Sequence, residues 1–337
     1  MSSRILIAEN DCATRGLLAA WLEDAGYACV PTAADEAVAE AEIHRPDAVL
    51  VGVDGPDGEG MRIAHSLTAS DDAAAVIVVS RPDLEIALAA SRLGAIDCLP
   101  WPTSERGVVD AVERAVHHRS HTATSRRAQQ RLQEAIAHGV AELKFIVEGA
   151  HAEAAQAELL ALLRLRSPDT YEHALRVADA TERLARALKV PEAQIDGIKR
   201  AALLHDIGKV AIPSELLDSA APLDDAQIAL LRMHVSIGAE ILEHASGLET
   251  VGVLVGATHE RYDGSGYPMR LRGIDIPLGA RIIAVADVYD ALTSNRPYRD
   301  PLTHDEATLE LARVAGSQLD PAVVRGWIHL TGSKSCF

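Results

Sequence analysis

The stretch AVLVGV, Ala48–Val53, is an apolar run without a single charged side chain. Two similar runs are RILIA at Arg4–Ala8 and AVIVVS at Ala75–Ser80, and shorter ones fall near Ala28–Pro31 and Ile96–Leu99. Continuous apolar strands are typical of a parallel sheet that is covered on both faces. The stretch therefore predicts a central strand of such a sheet.

Helical patterns separate these runs. They cover Thr14–Ala25, Asp35–Ile43, Gly58–Leu67, Leu84–Leu93 and Ser104–Val116. The alternation of strand and helix predicts a doubly wound α/β domain over residues 1–120. Ligands bind such sheets at the carboxyl ends of the strands. Those ends carry Glu9, Asn10, Asp11, Asp54 and Ser80.

This first domain resembles the receiver domain of two-component response regulators. The resemblance rests on IAEND at 7–11 for the acidic pocket, PDAVLVGVDGP at 46–56 for the phosphoacceptor strand, VVS at 78–80 and AIDCLPWP at 95–102. In this alignment the phosphoacceptor aspartate falls on Gly52 and the lysine on Trp101. Because glycine has no carboxylate and tryptophan cannot pair with a phosphoryl oxygen, we expect a receiver that has lost phosphotransfer. Its expected role is dimerisation or docking, and Asp54 is a disfavoured substitute acceptor.

Composition limits the classes of function. A chain of 337 residues is long enough for two domains, and a net charge of -17 argues against general nucleic-acid binding. We see no apolar run of membrane-spanning length and no secretory signal, and therefore expect a cytoplasmic protein. The four cysteines, Cys12, Cys29, Cys98 and Cys336, lack metal-ligand spacing and are expected to be packing thiols.

A helical linker is predicted over residues 121–165. Apolar residues recur there at spacings close to those of a coiled coil. They are Leu132, Ile136, Val140, Leu143, Val147 and Ala150. The favoured interpretation is a helix that forms a homodimer, and the alternative is a helix packed on its own second domain. Gly139 and Gly149 are expected to weaken this helix without ending it.

Residues 166–337 are predicted to form an all-α domain. The helix candidates are Asp169–Leu188, Ala193–His205, Asp224–His244, Leu248–Thr258, Arg281–Ser294, Asp305–Ala315 and Pro321–His329. Histidines and aspartates fall near the ends of these helices, and such side chains suit Fe, Mn, Zn or similar divalent ions. A single histidine is more often an ordinary core or surface residue. The run LLHDIGK at 203–209 is stronger, because burial of Asp206 after two leucines is costly without a charged partner or a metal.

Four motifs occur in the order HDIGK at 205–209, MHVSIGAEIL at 233–242, HERYDGSGYP at 259–268 and ARIIAVADVYDALTSNRPYR at 280–299. Together they resemble the HD-GYP subgroup of HD-domain phosphohydrolases, over Asp169 to Asp320. The resemblance implies a metal-dependent phosphodiesterase that hydrolyses cyclic di-GMP. A receiver before an HD-GYP domain is similar to a response regulator of that signalling pathway.

The resemblance also implies a set of metal ligands. His173, His205, Asp206 and Asp287 would hold one ion, and Asp206 would bridge to a second. The second ion would be shared with His234 and His259. The chain departs from the family at Thr258, where a histidine is expected. Asp169 stands where members with three metals have a glutamate, so the implied cofactors are two divalent ions, or three with Asp169, with Fe or Mn favoured.

The resemblance also implies three cationic residues that bind the substrate, Lys209, Arg296 and Arg299. His205, Asp206 and Lys209 would form the catalytic group, with Lys209 on a phosphate oxygen. Arg296 and Arg299 would grip the second phosphate, since arginine offers a bidentate fork. The implied partners are cyclic di-GMP, a second copy of the chain through the linker helix, and proteins that contact the loop Asp263–Pro268. The alternative hypothesis is a weakened regulator that binds nucleotide or proteins without turnover.

Overall fold

A computed structural model of the chain describes residues 2–69, 74–219, 221–295 and 300–332. The chain forms two compact units, Met1–Ala128 and Gln129–Phe337. The first unit is α/β and the second is helical. This confirms the predicted fold class.

The first unit is built on a parallel sheet of five strands in the order β2-β1-β3-β4-β5. The strands are β1 Arg4–Ala8, β2 Ala28–Thr32, β3 Ala48–Val53, β4 Ala75–Ser80 and β5 Asp97–Pro100. Strand β3 pairs with β1 through Leu6 and Val49, and with β4 through Gly52 and Val79. The stretch AVLVGV is therefore a central strand, as its continuous apolar character predicts.

Helices cover both faces of this sheet. They are α1 Cys12–Asp24, α2 Ala37–His44, α3 Glu59–Thr68 and α4 Leu84–Arg92, with a 3₁₀ turn at Ala34–Glu36 before α2. Alternate strand residues enter two separate cores: Ile5, Ile7 and Leu50 lie in one, and Leu6 and Val49 in the other. Because successive side chains of a strand point to opposite faces, a strand without polar residues requires helices on both faces of the sheet.

Helix α5, Glu105–Val147, is a single helix of 43 residues. Val108 and Val112 at its start belong to a core of the first unit, and Leu132, Leu143 and Val147 near its end belong to the core of the second. The interpretation of this apolar stripe as a surface for a second copy is wrong for these side chains, because they are buried in the core of their own chain. The alternative, packing on the second domain, is what the structure shows.

The prediction that Gly149 would not end the linker helix is also wrong. Helix α5 ends at Val147, and Gly149 has a φ of 75°. A left-handed residue just after the last turn is a common helix end, and glycine adopts it without a Cβ clash. Gly139 stays within the helix. A Cβ there would lie 3.0 Å from the Cα of Ala211, so glycine permits this close packing.

The second unit continues with nine helices in the described residues, and a 3₁₀ turn at Ile207–Ala211 follows the third of them. They are α6 Ala152–Arg166, α7 Pro168–Ala187, α8 Glu192–Leu204, α9 Ser214–Leu217, α10 Asp225–Glu243, α11 Glu249–Val255, α12 Leu278–Thr293, α13 His304–Val314 and α14 Pro321–Thr331. One core of buried apolar residues joins them. Within the described residues, none of the helices has the length and apolarity needed to cross a membrane.

Three of the four cysteines are described, and all three are free thiols. Cys29 and Cys98 are half-buried, and burial raises the pKa of the Cys29 thiol to about 11. Cys12 is exposed, so the expectation of a packing role is wrong for it. Cys336 lies outside the described residues.

Candidate metal centre

Asp206 is buried by the apolar residues around it. Helix α8 ends at Leu204, and His205 and Asp206 connect it to the 3₁₀ turn that begins at Ile207. Leu204 and Ile207 are fully buried, and His205 and Asp206 are only 1% and 2% exposed. The run LLHDIGK therefore forces a histidine and an acid into the interior, as the sequence predicts.

Two histidine rings are fixed by backbone carbonyls. His205 Nδ1 donates to Ala202 O at 2.8 Å, and His234 Nδ1 donates to Leu231 O at 2.7 Å. Because a carbonyl oxygen only accepts, each neutral ring has its proton on Nδ1 and a lone pair on Nε2. These Nε2 atoms lie 3.5 Å from Asp206 Oδ2 and 3.4 Å from Asp206 Oδ1. Lone pairs that face a carboxylate are the arrangement expected around a cation.

Asp206 itself fits a metal ligand. Burial raises the pKa of its carboxyl group, but the ammonium of Lys209 is the largest of the opposing effects, and the pKa is held well below its usual range. Lys209 Nζ donates to Asp206 Oδ2 at 2.6 Å. Among the described residues, Asp206 Oδ1 is buried and has no hydrogen-bond partner. A buried, ionised oxygen without a partner is costly unless a cation meets it.

Asp206 belongs to two groups that could each hold a metal ion. One group is His173, His205 and Asp206, and the other is Asp206, His234 and His259. Within each group the potential ligand atoms lie within 4.8 Å of one another. Imidazole and carboxylate together suit Fe, Mn or Zn. The residues therefore fit two ions that share one carboxylate.

His173 is held by two carboxylates of α12. Its Nδ1 lies 2.7 Å from Asp290 Oδ2 and its Nε2 lies 3.1 Å from Asp287 Oδ1. Burial lowers the pKa of His173, but these bonds to Asp287 and Asp290 outweigh burial and raise it to about 9. Asp287 also lies 4.0 Å from His205 Nε2, which places it beside the first group.

Asp290 and Arg176 are site residues that sequence reasoning missed. Arg176 donates from Nε to Asp290 Oδ1 at 2.6 Å and from Nη2 to Oδ2 at 2.9 Å, and Ser294 Oγ donates to the same carboxylate at 3.1 Å. The spacing of three residues between Asp287 and Asp290 was the available signal, since it puts both acids on one helix face. Arg176 lies at the same spacing after His173.

His259 and Thr258 have different environments. His259 Nε2 lies 3.4 Å from His234 Nε2, and burial together with His234 lowers the pKa of His259 to about 4. Thr258 is buried, and its hydroxyl donates to Val255 O at 2.9 Å. That hydroxyl is therefore already bonded to the backbone of its own segment.

A cavity of about 1120 Å³ opens onto these groups. Lys209, Asp287, Asp169 and Asn295 are among the residues that line it. Asp169 is exposed and is in neither metal-binding group of the described residues. The two predicted phosphate ligands, Arg296 and Arg299, lie outside the described residues.

The carboxyl edge of the sheet in the first unit is arranged differently. A Cβ built on Gly52 would collide with the carboxylate of Glu9, which accepts a hydrogen bond from Asp11 N at 2.9 Å. Trp101 packs against Trp21, with ring centroids 6.1 Å apart. Asp54 is exposed. Glu9 therefore fills the place of the missing side chain, and within the described residues no metal-binding group occurs at this edge.

Two family models match the chain. The response regulator receiver domain matches residues 5–113, and the HD domain matches residues 159–323. The first match covers the parallel sheet. The second covers the histidines and aspartates of the two metal-binding groups, together with Asp287 and Asp290.

Curated relatives match one or both units. The 3'3'-cGAMP-specific phosphodiesterase 2 of Vibrio cholerae is 45% identical over 161 residues, which are 47% of this chain and 31% of that protein. A cyclic di-GMP phosphodiesterase of Thermotoga maritima is 30% identical over 334 residues, covering 97% of this chain and 90% of the relative. The cyclic di-GMP phosphodiesterase response regulator RpfG of Xanthomonas campestris is 32% identical, covering 88% and 79%. The chain thus spans under a third of the first relative and most of the other two.

Proposed function

This chain belongs to the family of cyclic di-GMP phosphodiesterases in which a receiver domain precedes an HD domain, and on that premise we propose that it hydrolyses cyclic di-GMP with divalent metal ions. The two relatives that match over most of their length carry this activity in their names. That this chain acts on the same substrate is our proposal.

One observation carries the proposal: the carboxylate of Asp206 is shared by two metal-binding groups and has one buried oxygen without a partner among the described residues. We assign the first ion to His173, His205, Asp206 and Asp287, and the second to Asp206, His234 and His259. Fe or Mn is the preferred metal. When bound, two such ions supply an activated water and neutralise charge on the phosphodiester.

The remaining chemistry belongs to side chains that line the cavity. Lys209 lies next to Asp206 and lines the cavity, so its ammonium group is placed to bind a non-bridging phosphate oxygen. Arg296 and Arg299 are proposed to bind the second phosphate. Asn295, the neighbour of Arg296, lines the cavity, which supports this assignment. These cations offset the overall charge of -17 where a dianionic substrate would bind.

The test is direct hydrolysis. The purified chain is stripped of metal, reloaded with Mn²⁺ or Fe²⁺ and incubated with cyclic di-GMP, and products are separated by chromatography. We expect a linear dinucleotide or GMP from the loaded chain, and turnover lower by about a thousandfold from its Asp206→Asn variant. Asp179→Asn, an exposed change on the same helix as His173, is the matched control and keeps activity. A fully loaded chain without product would contradict the proposal.

A second candidate substrate is 3'3'-cGAMP. The observation that favours it is the 45% identity to a 3'3'-cGAMP-specific enzyme over 161 residues. Both dinucleotides can be compared by kcat/KM on the same preparation. A preference of tenfold or more, about 1.4 kcal/mol of transition-state binding, would assign the specificity.

The alternative of a regulator without turnover rests on Gly52, Trp101 and Thr258. It predicts nucleotide binding without product, and cleavage only after Thr258→His. Elemental analysis further separates an active enzyme from such a regulator, since a single ion per chain is incompatible with the shared-carboxylate site.

A homodimer, protein partners at Asp263–Pro268 and a cytoplasmic location stay predictions. A dimer through α5 would have to use a face other than its buried stripe, such as the one that carries the 79% exposed Phe145.

A further inference from the structure

We propose that Tyr267 is a positioning residue that orients His259 as a metal ligand. This inference rests on the proposed metal site and adds a residue to it. Tyr267 OH lies 3.2 Å from His259 Nδ1. The two rings are also stacked, with centroids 5.3 Å apart and an interplanar angle of 23°. Tyr267 thus fixes both the plane of the imidazole and the partner of its Nδ1 atom.

The other three histidines of the two groups show the same arrangement. Their Nδ1 atoms contact Ala202 O, Leu231 O and Asp290 Oδ2, which leaves Nε2 toward the cluster. A metal-ligating histidine is ordinarily held by such a contact at its other nitrogen, and loss of the partner typically weakens metal binding about 10- to 100-fold. His259 lacks a carbonyl or carboxylate partner among its described contacts, and the Tyr267 hydroxyl takes that position.

The loop that carries Tyr267 is anchored next to His259. Glu260 is 4% exposed, and its two carboxylate oxygens accept from Met269 N at 2.7 Å and Leu271 N at 3.0 Å. Tyr267 N donates to His259 O at 3.3 Å. A Cβ on Gly266 would collide with the backbone of Glu260 and Arg261, so this glycine allows the close approach. The loop is therefore held at both sides of Tyr267.

Arg232 contacts the same ring from α10. Its guanidinium carbon lies 5.0 Å from the Tyr267 ring centroid, within the range of a cation–π interaction. Arg232 is two residues before His234. Tyr267 therefore lies between the helix that carries one ligand of the second group and the residue that supplies another.

Thr258 makes this arrangement important. Threonine has no imidazole, and its hydroxyl is bonded to Val255 O. The stretch from Thr258 to Pro268 therefore contributes one imidazole to the second group, that of His259. A site with fewer imidazoles depends more on the orientation of each one. Tyr267→Phe removes the hydroxyl and keeps the stacked ring, which isolates the contact with Nδ1.

The experiment measures metal binding by the full chain. Metal-free protein is titrated with Co²⁺ or Mn²⁺, with stoichiometry from elemental analysis and the Co²⁺ visible spectrum as a report on ligand geometry. For Tyr267→Phe we expect the weaker of two binding steps to lose 10- to 100-fold in affinity, with a changed Co²⁺ spectrum for that ion. Tyr262→Phe, in the same stretch, is the matched control and is expected to bind like the unmodified chain.

A double-mutant cycle with His259→Ala tests the route of the effect. If Tyr267 acts through His259, Tyr267→Phe adds less than twofold in that background. Normal second-ion binding by Tyr267→Phe, or an undiminished effect without His259, would overturn the inference. Failure of the unmodified chain to bind a second ion would instead contradict the proposed function, so the two failures are distinguishable. The thermal midpoint of the metal-free variant is expected to match that of the unmodified chain.

Discussion

The two polar sites of this chain depart from the patterns that they resemble, the first at Gly52 and Trp101 and the second at Thr258, and the surrounding side chains differ between them. At the sheet edge, Glu9 occupies the space beside Gly52, and Trp101 packs on Trp21. In the helical unit, Thr258 bonds to the backbone while Asp206 keeps a buried oxygen without a partner in the described residues. At the first site, the Glu9 side chain occupies the space that a side chain at position 52 would need. The second keeps its central acid, so we expect the departure at Thr258 to affect function less than the departures at the sheet edge.

The most severe test compares the acids at the two sites. Asp206→Asn removes the charge that both metal-binding groups share, and we expect turnover to fall on the order of a thousandfold, because several kcal/mol of charge stabilisation are lost. Glu9→Gln makes the same chemical change at the sheet edge and is expected to alter turnover less than twofold. Steady-state hydrolysis assays on the metal-loaded proteins measure both. Comparable losses would break the contrast.

A smaller effect is expected at Asp290, which contacts the ligand His173 and is not itself a proposed metal ligand. Asp290→Asn weakens the hold on His173 Nδ1 and removes the ion pair with Arg176. We expect metal affinity to fall about 10- to 100-fold, as for other partners of ligating histidines. Metal titration measures it, with Asp179→Asn as the control. Unchanged affinity would mean that His173 is oriented by Asp287 alone.

The pH dependence of metal binding follows from His173. Its pKa of about 9 means that the metal-free residue is protonated at neutral pH, whereas a ligating imidazole is not. Metal binding near pH 7 should therefore release about one proton from His173, and affinity should rise about tenfold per pH unit until pH 9. His259, with a pKa of about 4, is already neutral and releases none. Calorimetry in buffers of different ionisation enthalpy counts the protons, and zero release would contradict this assignment.

The smallest effect is expected at Thr258. Thr258→Val removes the hydroxyl that bonds to Val255 O and leaves a buried carbonyl without that donor. We expect a loss of about 1 kcal/mol in the free energy of unfolding, with turnover within about twofold. Denaturant unfolding and hydrolysis assays measure the two quantities. A parallel fall in metal content would show that Thr258 is a ligand after all.

Strong local patterns in the sequence predicted the fold well. The bounds of β1, β3 and β4 agree with the predicted runs, because each is a continuous apolar segment between polar ones. Gly149 was misjudged because a glycine inside a helix and a glycine that ends one look alike until the φ angle is known. The partner of the α5 stripe could not be predicted either, since an apolar stripe does not indicate which surface covers it.

The site was predictable where one of the four motifs contains the residue, and His173 followed from the resemblance alone. His173, His205, Asp206, His234 and His259 fall into the two metal-binding groups. The sequence did not reveal the groups that hold these histidines in place: Asp290 with its partner Arg176, Tyr267, and the backbone carbonyls of Ala202 and Leu231. Carbonyl partners leave no trace in the sequence, because every residue has one. Arg176 and Asp290 are far apart along the chain, and only the packing of α7 on α12 brings them together.

The contact between Gly139 and Ala211 has a consequence for how such chains diverge. Ala211 ends the 3₁₀ turn that carries Lys209, and the backbone of α5 lies against it without room for a Cβ. Two small residues far apart in sequence therefore share one volume. Among relatives that keep this packing we expect the two positions to covary, so that a larger residue at one is tolerated only with a glycine at the other.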